Sequence, residues 1–222
     1  VSGASPTATG ALRLAAEQLS HRYGARLALQ PLDFTLESPG VVAVTGENGS
    51  GKSTLLRIVC GLLRPSGGTS RFELGGVVVP PRARRAVSGL ATPELSFYEE
   101  FSAAENLLFS AETRGVQDPR AAVRSALEMV GLTPRADDRV AAFSSGMKQR
   151  LRLAFAIVHR PALLMLDEPG SHLDDAGRSV VEHMVRGFSE RGLVLIATND
   201  PLETRLAERR IELRGRGLGG PA

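Results

Sequence analysis

The stretch Val41-Val42-Ala43-Val44-Thr45-Gly46-Glu47-Asn48-Gly49-Ser50-Gly51-Lys52-Ser53-Thr54 decides how the rest of this chain is read. Its first five residues form a short apolar run rich in β-branched side chains, the composition of a strand buried on both faces of a parallel sheet. Gly46 to Thr54 matches G-x-x-x-x-G-K-[ST], and a helical pattern follows, which is the strand, loop and helix setting the motif requires. Glycines at 46, 49 and 51, with Asn48 and Ser50 between them, let the backbone curl so that N–H groups point at phosphate oxygens. A helix beginning near Lys52 adds its positive end. Lys52 is a compact ammonium suited to β- and γ-phosphates, Ser53 offers a hydroxyl to Mg²⁺, and Thr54 supports the α-phosphate region.

Outward from this loop the chain alternates strand and helix. Leu163 to Asp167 and Leu193 to Thr198 repeat the buried-strand composition of Val41 to Thr45. Leu32 to Glu37 instead alternates apolar and polar residues, the period of a half-buried strand, and predicts an antiparallel sheet near the start. Ala121 to Val130 has helical spacing and stops at Gly131. Ser144 opens a second helix, in which Leu151, Ala154, Phe155 and Val158 make one stripe and Pro161 marks the end. The expected fold is therefore α/β: a P-loop, RecA-like core with a mostly parallel sheet, an antiparallel β edge and an inserted α-helical subdomain. A single domain is expected over 11–215, with core segments at 11–90 and 157–215 and the helical insertion at 91–156. Residues 1–10 and 216–222 read as flexible tails.

Bulk properties narrow the function classes. Hydrophobic residues are 42% and charged residues 23% of the chain, the balance of an ordinary globular protein. Its longest apolar runs fall far short of the roughly 20 residues that cross a bilayer as a helix, and Val1 to Gly10 lacks the features of a signal peptide. The net charge is only +3 and the arginines are scattered, so nucleic acid is not indicated as a partner. Two of the 27 basic residues, Lys52 and Lys148, are lysine. The single cysteine, Cys60, permits no internal disulfide and fits a reducing compartment, and His21, His159, His172 and His183 have no metal-ligand spacing.

Leu163-Leu164-Met165-Leu166-Asp167-Glu168 is an apolar strand ending in two carboxylates, the way P-loop enzymes place an acid beside their metal. Asp167 is expected to hold Mg²⁺, and Glu168 to accept a proton from the attacking water. Upstream, Phe143-Ser144-Ser145-Gly146-Met147-Lys148-Gln149-Arg150 resembles the signature motif of ABC ATPases, and it precedes the Asp-Glu strand as in that family. By the same resemblance Ser171-His172-Leu173-Asp174 is similar to the family's D-loop, Tyr23 falls where an aromatic ring stacks on adenine, and Asn199 ends the strand that usually carries a switch histidine. The resemblance implies two such domains paired head to tail, the helix opened by Ser144 and Gly146 closing over the ATP of the other chain.

Two positions depart from the family. Asparagine at 199 can donate an amide hydrogen bond but carries no proton, which implies slowed hydrolysis. No glutamine stands in the loop before Leu95-Ser96-Phe97-Tyr98; Glu94, or Pro93 in a neighbouring alignment, takes its place, with Glu94 the candidate metal ligand. The resemblance implies the ATP-binding and hydrolysing subunit of a bacterial exporter, with ATP and Mg²⁺ as cofactors and a transmembrane subunit and a second ATPase domain as partners. It implies a place on the cytoplasmic face of a membrane, and its nearest named likeness is the haem-exporter subunit of cytochrome c maturation. A soluble ABC ATPase acting on ribosomes or DNA, and an ATP-sensing switch with negligible hydrolysis, are the alternative readings.

Overall fold

The computed structural model describes residues 10–214, so the tails expected at 1–10 and 216–222 lie outside it, Gly10 apart. The chain opens with two long strands, β1 (Leu12–Tyr23) and β2 (Arg26–Glu37), then β3 (Gly40–Thr45), α1 (Lys52–Val59), β4 (Gly67–Leu74) and β5 (Val77–Val78). A short α2 (Pro81–Val87) leads into β6 (Ser88–Ala91), and three helices follow, α3 (Ala103–Thr113), α4 (Pro119–Met129) and α5 (Ser145–Ile157). The remainder is β7 (Leu163–Asp167), α6 (Asp175–Ser189), β8 (Leu193–Ala197), α7 (Pro201–Thr204) and β9 (Arg209–Glu212).

Two sheets result. β2, β1, β4 and β5 form a four-stranded antiparallel sheet, and β6, β7, β8, β3 and β9 form a five-stranded sheet whose pairs are all parallel. Because side chains alternate across a strand, the central strands feed two cores at once. Val42, Val44, Leu163, Met165, Leu193 and Leu195 face the core shared with the antiparallel sheet and α1. Val41, Leu164, Leu166, Val194 and Ile196 face the core built with α3 to α6. This two-sided burial is why those strands read as continuous apolar runs rather than alternating ones.

Several boundaries shift for local reasons. The helix expected over Ala121 to Val130 begins at Pro119, because Asp118 caps it by accepting from Ala121 N–H at 3.0 Å and proline suits the first turn. α5 ends at Ile157, before Pro161, and Arg160 turns the chain with φ 51°. Ala91 belongs to β6, so the helical segment starts beyond it. Cys60 is buried at the end of α1. No helix among the described residues is long and apolar enough to cross a membrane.

His159, just after α5, places Nε2 3.0 Å from the Ser88 carbonyl oxygen and 3.2 Å from Arg114 Nη1, tying the helix end to β6. Burial, reinforced by the Arg114 charge, pushes its pKa down to about 4 from an ordinary 6.5. Below the ordinary value the unfolded chain takes up a proton that the folded chain refuses, so stability is full above pH 6.5 and drains as the pH falls toward 4. Urea unfolding is expected to give a stability lower at pH 5 than at pH 7 by about 1–2 kcal/mol from this group, a loss that His159→Gln removes; equal pH slopes in the two proteins would contradict it.

Candidate functional site

β3 delivers the chain to a loop that glycine alone can make. Gly46 and Gly51 have φ of 146° and 104°, and a Cβ at Gly46 would stand 2.5 Å from the Leu213 carbonyl oxygen, while one at Gly51 would strike that of Ala28. The first intrahelical bond of α1 runs from Leu55 N–H to the Gly51 oxygen at 2.8 Å, so the N–H groups of Lys52, Ser53 and Thr54 have no helical acceptor. No carboxylate stands in that first turn, which leaves the helix end positive. Lys52 is buried, with Nζ donating to the carbonyl oxygens of Gly46 at 2.7 Å and Glu47 at 3.3 Å. Its ammonium is therefore held at the mouth of the loop. Buried Ser50 Oγ beside it has no hydrogen-bond partner.

A cavity of about 350 Å³ lies over this loop, lined by Lys52, Ser53, Thr54, Asn48, Gly49, Gly51, Glu168 and, from the antiparallel sheet, Tyr23 and Arg26. Tyr23 ends β1, half exposed, and packs edge-on against His21 with ring centroids 4.6 Å apart. Arg26 escaped the sequence reading. It pairs with Tyr23 across the β1–β2 turn, and its Nη2 comes within 3.9 Å of where a Cβ of Gly49 would sit, so a second cation faces the phosphate loop. The signal was available as an arginine three residues after the candidate aromatic.

Asp167, at the end of β7, is buried, with the Ser53 hydroxyl beside it. Burial holds its carboxyl above the ordinary range, and the charges of Glu94 and Glu168 push the same way, against the Ser53 bond. A hydroxyl and a carboxylate side by side below a phosphate loop are hard oxygen donors that fit Mg²⁺. Glu94 lines neither cavity. Its Oε1 accepts from Arg57 Nη2 at 2.5 Å. Although burial opposes ionisation, a backbone hydrogen bond and Arg57 hold its carboxyl below the usual range. The Tyr23 hydroxyl is also among the groups that hold the Arg57 pKa up, so Arg57 stands between the end of β1 and the loop after β6.

Glu168 turns with φ 49°, a conformation uncommon for a residue with a side chain, while its N–H donates to the Ala197 oxygen at 2.8 Å. Its exposed side chain lines the first cavity and a second one of about 310 Å³, shared with Asn48, His172, Arg178, Asn199 and Glu203. There Asn199 Nδ2 donates to Asn48 Oδ1 at 3.2 Å, which joins the end of β8 to the phosphate loop. Buried Gln149 in α5 donates Nε2 to the Pro169 carbonyl oxygen at 3.0 Å and to that of Glu168 at 3.4 Å. Sequence reading placed Gln149 in a motif without giving it a role.

Ser144 caps α5, accepting from Met147 N–H at 3.2 Å, and it is exposed. Neither Ser144 nor Gly146 lines either of the two cavities. Gly146 packs on the turn after β7, where a Cβ would lie 3.1 Å from the His172 oxygen. Arg150 Nη2 pairs with Asp174 Oδ1 at 3.3 Å. The arrangement can hold a polyphosphate on the loop, with the Glu168 carboxylate lining the same cavity.

Comparison with known proteins agrees with this geometry. Residues 29–171 match the ABC transporter family. The linearmycin resistance ATP-binding protein of Bacillus subtilis is 33% identical over 86% of this chain and 62% of that protein. Nod factor export ATP-binding protein I of Rhizobium meliloti is 34% identical over 91% of this chain and 60% of that protein. The chain thus spans about 60% of the length of these curated relatives. Among solved structures, an ATP-binding subunit of an ABC transporter superposes with TM-score 0.79 at 25% identity, over 90% of this chain and 87% of that one. A dimeric ATP-binding cassette in a post-hydrolysis state with ADP and Pi superposes equally well, at 0.79, over 90% of this chain and 94% of that one; at 20% identity that likeness is one of fold.

Removing the Lys52 ammonium is expected to weaken triphosphate binding about 10- to 100-fold, the loss of one charged hydrogen-bond donor. Equilibrium titration of Lys52→Ala with a fluorescent ATP analogue checks this, with Lys148→Ala, which breaks only the surface pair with Glu99, as the unaffected control. Equal affinity of Lys52→Ala and the parent would place the phosphates elsewhere.

Proposed function

The chain belongs to the ABC transporter family, and from that premise we propose that it binds ATP in the Lys52 loop, hydrolyses it as half of a head-to-tail pair, and drives a separate membrane subunit. The observation that carries the reading is the division of the site. Loop, carboxylate and candidate adenine platform share one cavity, while the exposed Ser144 helix end stands outside it. A helix end with unsatisfied N–H groups is an anion site, and since it stands outside the cavity over its own phosphate loop, the phosphate it meets is the partner's. Such pairing makes two identical sites, each with one face from either chain.

In the paired state Lys52, Arg26 and the loop N–H groups hold the phosphates, and Tyr23 offers its ring to adenine. Glu168 accepts the proton of the attacking water, work worth about 10² to 10⁴ in rate. Asn199 orients that water through an amide and cannot shuttle its proton, so turnover is slow but retained. Ser53 and Asp167 would hold Mg²⁺, whose chemistry is to neutralise charge on the terminal phosphates. Glu94 supplies charge near Asp167 and is engaged with Arg57, so it is a candidate ligand only where that pair opens.

Exposed Tyr98, Phe101 and Phe109 cluster beside α3, with Tyr98 5.6 Å from Phe101 and 6.3 Å from Phe109 between ring centroids. This apolar patch on the helical segment is where the membrane subunit would rest, holding the chain at the cytoplasmic face. The names of the relatives favour export as the process served. The division of 11–215 into a nucleotide core and a helical subdomain at 91–156 is part of the same reading. One observation favours a nucleotide-gated switch: Asn199 bound to Asn48 and Glu94 bound to Arg57 leave both departures from the family engaged within the chain.

Phosphate release with Mg-ATP is expected from the parent protein, and Glu168→Gln is expected to lower it at least 100-fold while accumulating as an ATP-bound dimer, by loss of the general base. Steady-state turnover with parallel light scattering reads both. If the parent dimerises with ATP without releasing phosphate, alone and with its membrane subunit, the switch reading replaces this one.

A further inference from the structure

Glu203 is a buried carboxyl group with no part in the mechanism above. It lies in α7, directly after the Thr198–Asp200 segment, at 7% exposure. Its Oε1 accepts from Gly170 N–H at 2.6 Å, while Oε2 is buried without a hydrogen-bond partner. The contact is close enough that a Cβ on Gly170 would collide with Oε1. Burial raises the pKa of this carboxyl, and hydrogen bonds from Thr198 and Gly170 act in the opposite sense. Glu203 also lines the second cavity together with Glu168 and Asn199.

Gly170 stands two residues past Glu168, inside a tight turn closed by Ser171 N–H on the Glu168 oxygen at 3.1 Å. Glu168 and His172, at φ 49° and 64°, bracket that turn. Residues with side chains persist there only when their surroundings over-determine them. Gln149 fixes the carbonyl oxygens of Glu168 and Pro169 from one side. Glu203 fixes the N–H of Gly170 from the other.

We propose that Glu203 is a positioning residue for the hydrolytic carboxylate: by holding Gly170 N–H it locks the left-handed turn that points Glu168 into the cavity shared with Asn199. It acts through the backbone and touches no substrate atom. Its placement four residues after Asn199 makes one short segment responsible both for contacting the phosphate loop and for setting the carboxylate. The proposal rests on the hydrolytic reading above for its effect on turnover.

The test compares Glu203→Met, which fills the space without an acceptor, with Glu203→Gln, whose amide oxygen still accepts from Gly170. Two readouts are needed: steady-state ATP hydrolysis, and hydrogen exchange at the Gly170 amide in nucleotide-free protein. Glu203→Met is expected to lose at least tenfold in kcat with KM for ATP within twofold, and Glu203→Gln to keep at least a third of the parent kcat. Exchange at Gly170 is expected to accelerate at least tenfold in Glu203→Met alone, with α1 amides unchanged. A Glu203→Met kcat within twofold of the parent, or equal losses in both variants, overturns the proposal. If the parent releases no phosphate, alone or with its membrane subunit, the hydrolytic reading fails and exchange decides alone: unchanged protection at Gly170 in Glu203→Met refutes the clamp, and selective loss supports it.

Discussion

The backbone of residues 46–51 must curl inward between a strand buried on both faces and a helix whose first N–H groups have no acceptor, and the rest of the molecule is arranged around that constraint. Parallel pairing of β3 with β8 and β9 fixes the strand. Side chains from both cores then hold it with no freedom to slide. The glycines at 46 and 51 answer a close approach of backbone: the Leu213 oxygen on one side, the Ala28 oxygen on the other. The antiparallel sheet is thus packed against the loop, and it brings Tyr23 and Arg26 to the cavity mouth.

The helix α5 works in two directions. At its start, Ser144 is spent on capping and faces solvent. One turn later, Gln149 is buried and holds the carbonyl groups behind Glu168. Arg152 continues the connection, donating to Gln149 Oε1 at 3.1 Å and to the Leu95 oxygen at 3.0 Å, so the segment after β6 is joined to the turn that carries Glu168 by two side chains and the main-chain oxygens they hold. A rigid helix with an outward end and an inward anchor gives a physical route by which a partner at the surface can bias the geometry of Glu168.

Local and continuous features were legible in the sequence. β3, β7 and β8 were visible because burial on both faces leaves an unbroken apolar run, and the phosphate loop because its requirements sit in nine consecutive residues. β1 was not: Gln18 at φ 46° and register shifts between Ala16 and Leu19 break the two-residue period. β6 is four residues long and contains Gly89, which the Ala156 backbone of α5 crowds, a reason that exists only in three dimensions. Gln149 and Glu203 escaped for the same cause, since each acts on a backbone far away in sequence. The pairing of Glu94 with Arg57 likewise joins a loop to a helix 37 residues distant.

In the proposed pair the Ser144 helix end serves the phosphate of the other chain. The most direct test of this combines Ser144→Arg with Glu168→Gln and measures ATP affinity and sedimentation of the double variant beside Glu168→Gln alone. Unchanged ATP binding to the monomer and loss of the ATP-dependent dimer are expected. A fall in the monomer's own ATP affinity, or a dimer that forms as before, would contradict this pairing.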